Sequence, residues 1–271
     1  MGSALARDGG SATRTAYWAA RVVLSPALLL VWRVRREGHR NVPRRGAVVL
    51  ASNHQSFIDS LFIPLCVPRR VTFLAKAEYF DNPRTAWFFR MMGQIPIRRT
   101  GGSVSEGALL SAKSVLDAGG VLAIYPEGTR SPDGRLYRGH TGVARVALTC
   151  GVPVVPVACF GTADVQPIGV RWPRPGKRVL VRFGVALRFA EPASAADDPA
   201  TLRAATERIM NAVAGLSGQA RVDVYAKRRW DGRQWVAEGA DIVGGARGTG
   251  RALECGGDRH QRHGERRRRT R

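Results

Sequence analysis

The sequence predicts an α/β domain with a central mixed, largely parallel sheet flanked by helices. Short, continuously apolar runs at 47–52, 121–125 and 153–159 are typical of buried strands. Stretches of helical length lie between them, so that strands and helices alternate through residue 216. Such alternation favours parallel strands joined by helices that cover both faces of the sheet.

The order of elements follows from apolar periodicity and from helix start signals. Helices are predicted at 56–66, 83–92, 103–118, 139–149 and 198–216. Strands are predicted near 47–52, 71–75, 94–98, 121–125, 153–159 and 179–189. The predicted organisation is a disordered N-terminus at 1–14, a helical segment at 15–37, the main domain at 38–217, a weakly patterned extension at 218–257 in which 222–235 adds a strand, and a disordered basic tail at 258–271.

A first polar segment, 53–59, follows the strand at 47–52. His54 lies in the predicted turn, and Ser56 with Asp59 three residues later resembles a capping box that opens the next helix. A carboxylate at this distance can reach the imidazole, fix its tautomer and stabilise the imidazolium. The segment therefore predicts a general base with its orienting acid. The alternative is a loop histidine beside a helix-capping acid.

A nucleophile that would accompany this dyad is missing, because the chain has no G-x-S-x-G elbow. An acyl transfer at this site would therefore be direct. His54 would deprotonate an acceptor hydroxyl, and that hydroxyl would attack a thioester.

A second segment, 125–131, follows the apolar run at 121–125 and is dense in turn formers. Gly128 allows backbone amides to approach a ligand closely, and Arg130 adds a fork of donors suited to phosphate. Glu127 would repel a phosphate, so we expect it to contact an acceptor hydroxyl or to hold a neighbouring arginine. Alone, this segment also fits an ordinary strand-to-turn junction.

Two further stretches complete the pattern. The stretch 93–99 is a short strand that ends in Arg98 and Arg99, which form either a solvated basic strand end or a clamp for a phosphate dianion. The stretch 152–157 is an apolar strand interrupted by prolines, which is either plain core or the lining of an acyl tunnel.

The N-terminal segment predicts an interfacial amphipathic helix. Only eleven residues without charge separate Arg21 from Arg33, which is too short for a transmembrane helix of roughly twenty residues. Trp18, Trp32 and the flanking arginines suit a helix in the headgroup layer of an anionic membrane surface. Residues 33–45 add six arginines against one glutamate. The alternative is a helix packed against the core of the domain.

Charge and cysteine content limit the remaining classes. The net charge of +22 fits nucleic acid or anionic lipid as a partner. The tail at 258–271 holds seven arginines and no aromatic residue, and nothing resembles a groove-reading module, so no specific nucleic acid is predicted. The four cysteines have no paired spacing, and neither a disulfide framework, a metal site nor a cofactor is predicted.

The order and spacing of the four stretches resemble the blocks of the glycerolipid acyltransferase family, whose typical members are 1-acylglycerol-3-phosphate acyltransferases. The resemblance covers residues 38–215 and makes 38–217 an acyltransferase domain. It implies that His54 is the general base and Asp59 its partner. It also implies a substrate-binding set of Lys76, Arg99, Glu127, Gly128, Thr129 and Arg130, to which this sequence adds Arg98.

Two positions depart from the family pattern. Arg98 stands where relatives often carry an acidic residue, a change that would strengthen phosphate binding or alter acceptor preference. Arg138 stands where relatives commonly carry lysine, which keeps the charge but changes its geometry.

The resemblance implies that an acyl group moves from acyl-CoA or an acyl carrier protein to the free hydroxyl of 1-acylglycerol 3-phosphate, giving phosphatidate. The expected location is the cytoplasmic face of the cell membrane, with peripheral or monotopic attachment. Three alternatives remain open: an acyltransferase for another lysolipid or for glycerol phosphate, a lipid hydrolase, and a basic protein that binds nucleic acid or lipid surfaces.

Overall fold

The computed structural model of the chain describes residues 11–82, 86, 94–97, 106–226, 228–230 and 235–237, all within the unit Met1–Glu238. The helices in these ranges are α1 (Ser11–Val31), α2 (Asp59–Cys66), α3 (Glu106–Asp117), α4 (Gly142–Cys150), α5 (Thr162–Val165) and α6 (Pro199–Ser217). The strands are β1 (Val34–Glu37), β2 (Val48–Ser52), β3 (Val71–Lys76), β4 (Ile95–Ile97), β5 (Val121–Ile124), β6 (Leu136–Tyr137), β7 (Val154–Phe160), β8 (Val179–Phe183), β9 (Arg221–Val222), β10 (Arg228–Trp230) and β11 (Trp235–Ala237).

Seven strands form the central sheet in the order β1-β8-β7-β2-β5-β3-β4. Every neighbouring pair is parallel except β7 and β8. Apolar side chains fill both faces of this sheet, one cluster including Phe62 of α2 and the other including Ile209 of α6. The predicted mixed, largely parallel α/β architecture is confirmed.

The centre of the sheet determines where the polar segments meet. β2 pairs in parallel with β5 on one side and with β7 on the other. All five residues of β2 are buried, as expected for a strand covered on both faces. Because parallel strands end at the same edge, the segments that follow β2 and β5 leave the sheet side by side.

Helix termini use the local signals present in the sequence. The Asp198 carboxylate accepts hydrogen bonds from the Ala200 and Thr201 N–H groups and caps α6. Gly151 ends α4 in the left-handed conformation with φ 60°. α2 begins at Asp59 instead of residue 56, and the Asp59 carboxylate binds the Gln55 and Ser56 amides in the turn before it.

The N-terminal prediction requires a correction. α1 includes residues 11–14, predicted to be disordered, and ends at Val31 instead of continuing to residue 37. Residues 34–37 form β1, an edge strand parallel to β8 with Val34 opposite Val179. Its single valine followed by three charged, exposed residues suits a strand at the edge of a sheet.

Two other predicted boundaries differ. β8 ends at Phe183 and does not reach residue 189, since the Gly184 N–H turns to the Pro156 carbonyl and only Leu187 bridges back to Val154. The predicted strand at 222–235 is divided between β9 and β10, and β11 begins at Trp235. Of the helix predicted at 83–92, only Ala86 lies within the described residues, and it is helical.

α1 contacts the domain on one side and is exposed on the other. Arg21 donates hydrogen bonds to the Pro64 carbonyl, at 2.8 Å, and to the Val67 carbonyl, at the end of α2. Val22, Val23 and Leu30 are 70–79% exposed. Within the described ranges, α1 and the other helices lack the length or the apolar character that crossing a bilayer requires.

Candidate active site

The two catalytic candidates are in contact. His54 follows β2, and its Nδ1 lies 3.0 Å from Oδ2 of Asp59, the first residue of α2. The Asp59 side chain is fully buried, whereas 16% of the His54 side chain is exposed. A buried carboxylate that binds Nδ1 favours the tautomer with the proton on Nδ1, so Nε2 is the nitrogen that can accept a proton.

Backbone amides fix the Asp59 carboxylate in place. Its Oδ2 also accepts hydrogen bonds from the N–H groups of Gln55, at 2.8 Å, and Ser56, at 2.9 Å. Both amides lie in the turn that precedes α2, whose N-cap Ile58 has no side-chain cap hydrogen bond. Asp59 therefore binds the imidazole and orders the turn before the helix.

The ring of Tyr125 fixes the plane of the imidazole. The two rings are stacked, with centroids 3.8 Å apart and planes 10° apart. The Tyr125 hydroxyl forms a 2.9 Å hydrogen bond with Ser60 of α2, which holds the tyrosine ring in turn. Burial, with smaller contributions from Asp59 and Cys159, raises the pKa of Tyr125 well above its ordinary value, so the phenol stays protonated and does not compete as a base.

Glu127 is buried and binds backbone amides. It is 1% exposed. Contact with an acceptor hydroxyl or with a neighbouring arginine stays a prediction, since Arg98 and Arg99 lie outside the described residues. The Oε1 of Glu127 accepts a hydrogen bond from the His54 backbone N–H at 3.2 Å, and its Oε2 accepts one from the Tyr137 N–H at 3.0 Å. Glu127 thus joins the loop of the dyad to β6.

The second segment holds the backbone of His54 at both ends. Besides the bond from the His54 N–H to Glu127, the His54 carbonyl accepts a 2.7 Å hydrogen bond from the Ser131 N–H. Gly128 makes the turn between these contacts with φ 70°, and a Cβ there would lie 3.1 Å from Cδ2 of His140. The second segment is therefore a support for the catalytic loop as well as a candidate binding turn.

Burial gives Glu127 a measurable pH signature. It raises the pKa of Glu127 to about 8 against the opposing hydrogen bonds from Tyr137 and His54, with smaller contributions from the charges of Asp59 and Asp133. Between its ordinary pKa of 4.5 and the folded value of about 8, the unfolded chain loses the Glu127 proton while the folded chain keeps it. Glu127 therefore makes the free energy of unfolding fall as pH rises through this window.

We expect Glu127→Gln to remove this pH dependence, since an amide does not titrate. The difference in free energy of unfolding between the parent protein and E127Q should decrease from about pH 5 to about pH 8, by at most ~1.4 kcal/mol per pH unit. Urea unfolding of both proteins across this range measures the difference. A difference that stays constant with pH would contradict the assignment.

The structure describes some of the remaining predicted binding residues, and the others lie outside the described ranges. Arg130 and Thr129 are half-buried in the loop after β5, at the same sheet edge as His54. The Arg130 guanidinium has no hydrogen bond or ion pair in the part of the chain that the structure describes. β3 ends at Lys76 at this edge, but the Lys76 side chain is not described. Arg98 and Arg99 follow β4 in sequence and lie outside the described residues.

Two structural contacts at this edge were not predicted. Asn53 is buried and pairs with the backbone of Cys159 through both ends of its amide, with its Oδ1 2.8 Å from the Cys159 N–H. Ser56 donates a 2.6 Å hydrogen bond to the Gln166 carbonyl, at the start of the loop between α5 and β8. For Asn53, the signal available in the sequence was a polar residue directly after a buried strand.

Comparison with known proteins finds a matching family and similar sequences. The acyltransferase family matches residues 33–160. The chain is 32% identical to the chloroplastic 1-acyl-sn-glycerol-3-phosphate acyltransferase LPAT1 of Arabidopsis thaliana over 56% of its length and 43% of the relative's. It is 30% identical to the 1-acyl-sn-glycerol-3-phosphate acyltransferase of Pseudomonas aeruginosa over 60% of its length and 58% of the relative's.

A solved structure extends the likeness to the fold. The crystal structure of PlsC, the 1-acyl-sn-glycerophosphate acyltransferase of Thermotoga maritima, superposes with a TM-score of 0.56. The sequences are 26% identical, and the match covers 76% of this chain and 81% of that one. The chain spans less than half the length of the Arabidopsis relative.

Fold and dyad together define an α/β protein with a histidine-aspartate pair at the carboxyl edge of its sheet. The stretch that the acyltransferase family matches, 33–160, includes β1, the dyad and the second segment.

Proposed function

We propose that this protein transfers a fatty acyl group from acyl-CoA or an acyl carrier protein to the free hydroxyl of 1-acylglycerol 3-phosphate, giving phosphatidate. The observation that carries the proposal is the 3.0 Å contact between His54 Nδ1 and the buried Asp59 carboxylate. The likeness to 1-acyl-sn-glycerol-3-phosphate acyltransferases of plants and bacteria supports the choice of acceptor.

In this proposal His54 acts as the general base. Nε2 takes the proton of the acceptor hydroxyl, whose oxygen attacks the thioester carbonyl, and the thiolate of the donor leaves with that proton. Asp59 stabilises the imidazolium that forms in between. General-base catalysis of this kind contributes roughly 10²–10⁴-fold.

Direct attack is supported by the state of the nearest thiol. Cys159 is buried beside Asn53 and Ser52, and burial raises its pKa well above the ordinary value. A buried, protonated thiol is a poor nucleophile. A covalent acyl-cysteine intermediate is therefore disfavoured, and the acceptor hydroxyl is the nucleophile that we propose.

The acceptor phosphate is assigned to the basic side chains at the same edge. Arg130 is available for it because its guanidinium has no partner within the described ranges. The family resemblance adds Arg99 and Lys76, and Arg98 beside Arg99 adds a further cation. Gly128 and Thr129 belong to the turn that carries Arg130. Holding the phosphate positions the free hydroxyl at His54, and alignment of this kind contributes several kcal/mol to lowering a barrier.

We place the enzyme on the cytoplasmic face of the cell membrane, attached peripherally or monotopically through α1. The exposed Val22, Val23 and Leu30 would enter the bilayer interface, while Arg21 keeps the helix on the domain. This location brings the site to an acceptor that resides in the membrane.

An acceptor panel tests the proposal. With acyl-CoA as donor, we expect lysophosphatidate to give a kcat/KM at least tenfold higher than neutral lysolipids, because charge-assisted hydrogen bonds to phosphate contribute about 1.5–3 kcal/mol. Thiol release and phosphatidate formation are measured together, with glycerol 3-phosphate as a third acceptor. Equal turnover of neutral lysolipids would reject the phosphate assignment, and fatty acid release without any acceptor would identify a hydrolase.

A further inference from the structure

A basic cavity lies at the sheet edge that carries the dyad, on the far side of β7. Its volume is about 440 Å³, and its lining includes Arg33, Arg35, Arg178, Phe160 and Gly161. No acidic residue lines it. Neither the catalytic assignment nor the acceptor assignment uses any of these residues. We refer to Arg33, Arg35 and Arg178 as the arginine triad.

Sheet topology brings the triad together from distant parts of the chain. β1 pairs in parallel with β8, with Val34 opposite Val179, so Arg33 and Arg178 enter the two strands side by side. Arg35 is opposite Leu180, and Leu180 is opposite Phe160 at the end of β7. Gly161 allows this close approach, because a Cβ there would lie 2.2 Å from the Arg178 carbonyl oxygen.

The triad differs from its arginine neighbours in lacking partners. Arg36 donates a hydrogen bond to the Cys66 carbonyl, and Arg182 forms a 2.7 Å ion pair with Glu37. The three guanidinium groups of the triad are exposed and make no hydrogen bond or ion pair with the residues that the structure describes. Three like charges around one cavity are unfavourable unless an anion neutralises them.

Backbone strain at Arg33 also indicates that this arginine binds an anion. Arg33 has a φ of 43°. Within the described part of the chain it is the one non-glycine residue with a positive φ. Glycine adopts this conformation without the Cβ penalty, which costs other residues roughly 1–2 kcal/mol. An arginine here therefore costs stability, which is expected where the side chain serves binding.

Exposed apolar side chains lie in the two chain segments that lead to the cavity. Leu30 is 79% and Val31 43% exposed at the end of α1, just before Arg33. Trp172 is 72% exposed in the loop that leads to Arg178, with the Arg171 guanidinium 5.3 Å from its ring centre. This loop is joined to the end of α1 by a 3.0 Å hydrogen bond from the Gly176 N–H to the Val31 carbonyl.

We propose that the arginine triad binds the phosphate of an anionic phospholipid headgroup in the bilayer, while Leu30, Val31 and Trp172 enter the interfacial layer. Arginine forks match phosphate oxygens, and tryptophan prefers the headgroup level. A soluble phosphate compound would account for the cations but not for the exposed apolar side chains beside them.

Docking through the triad also orients the enzyme. β8 is two strands from β2, which corresponds to about 10 Å along the sheet. A headgroup in the triad would therefore turn the edge that carries His54 toward the membrane. The inference rests on the proposed function for the membrane location of the substrate, but vesicle binding without donor or acceptor tests it separately from acyl transfer.

The experiment measures partition of the full chain onto vesicles of phosphatidylcholine with and without phosphatidylglycerol. The test variant is R33G/R35Q/R178Q, in which glycine suits the backbone of residue 33. The control variant R44Q/R45Q/R188Q removes three exposed arginines from the opposite edge of the sheet. Circular dichroism and thermal unfolding confirm that each variant is folded, and R33G alone should be at least as stable as the parent.

We expect the test variant to lose about a hundredfold in affinity for phosphatidylglycerol vesicles, since each cation at an anionic surface contributes about fivefold. The loss of affinity in the control variant should be less than about a tenth of that fold-change, because the three arginines that it removes point away from the membrane. Equal losses in both variants would mean that the triad contributes only through the net charge of the protein, and this would overturn the proposal. Unchanged vesicle binding, or a loss of acyl-CoA binding in its place, would also overturn it.

Discussion

His54→Ala is expected to reduce kcat for acyl transfer by roughly 10²–10⁴-fold, with a much smaller change in KM for either substrate. In the proposed mechanism the imidazole takes the acceptor proton during attack, whereas the acceptor phosphate is assigned to the arginines. Thiol release from acyl-CoA, started by addition of lysophosphatidate, measures the effect.

The control for this variant is His39→Ala. His39 lies in the turn before β2, at the opposite edge of the sheet from His54, so the same substitution should leave turnover unchanged. Loss of the stacking contact with Tyr125 should cost about 1 kcal/mol of stability, which thermal unfolding can separate from the kinetic effect. Wild-type turnover in folded H54A would refute the assignment of His54 as the base.

The contact between His54 and Asp59 was predictable because it depends on neighbours in sequence, whereas its catalytic role stays a prediction. Five positions separate His54 from Asp59, and one turn followed by a helix start leaves few ways to arrange them. The buried strands were predictable for a similar reason, because β2 and β5 are apolar on both faces. The agreement is therefore strongest for features that local patterns determine.

The prediction failed for features that depend on long-range pairing. β1 has a single valine followed by three charged residues, and its strand conformation comes from pairing with β8 far along the chain. The local pattern also did not show that the carboxyl group of Glu127 accepts hydrogen bonds from two backbone amides. No local pattern distinguishes a buried carboxylate from one that faces a ligand.

The N-terminal helix had two competing interpretations, a helix on the domain and a helix in the headgroup layer. Arg21 binds the end of α2, as the first requires. Val22 and Val23 are exposed, and their position in the headgroup layer stays a prediction. The charge pattern alone did not reveal that one arginine faces the protein.

Asp59→Asn is the second change with a large expected effect, because it removes the charge of the dyad but keeps its hydrogen bonds. All three bonds of the carboxylate go to Oδ2, and Oδ1 makes none in the described part of the chain. The amide oxygen of asparagine can occupy the Oδ2 position, so the orientation of His54 is retained. What disappears is the negative charge that stabilises the imidazolium in a buried setting.

We therefore expect D59N to lose roughly 10²–10³-fold in kcat, the scale of a lost electrostatic contact to a charge that develops in the transition state. KM for lysophosphatidate should change little. Asp117→Asn is the matched control, since Asp117 forms an exposed ion pair with Lys113, and such pairs contribute at most about 1 kcal/mol. If folded D59N retained most of the parent kcat, Asp59 would order the turn before α2 and contact His54 without assisting it, and the base would have to act without a buried counter-charge.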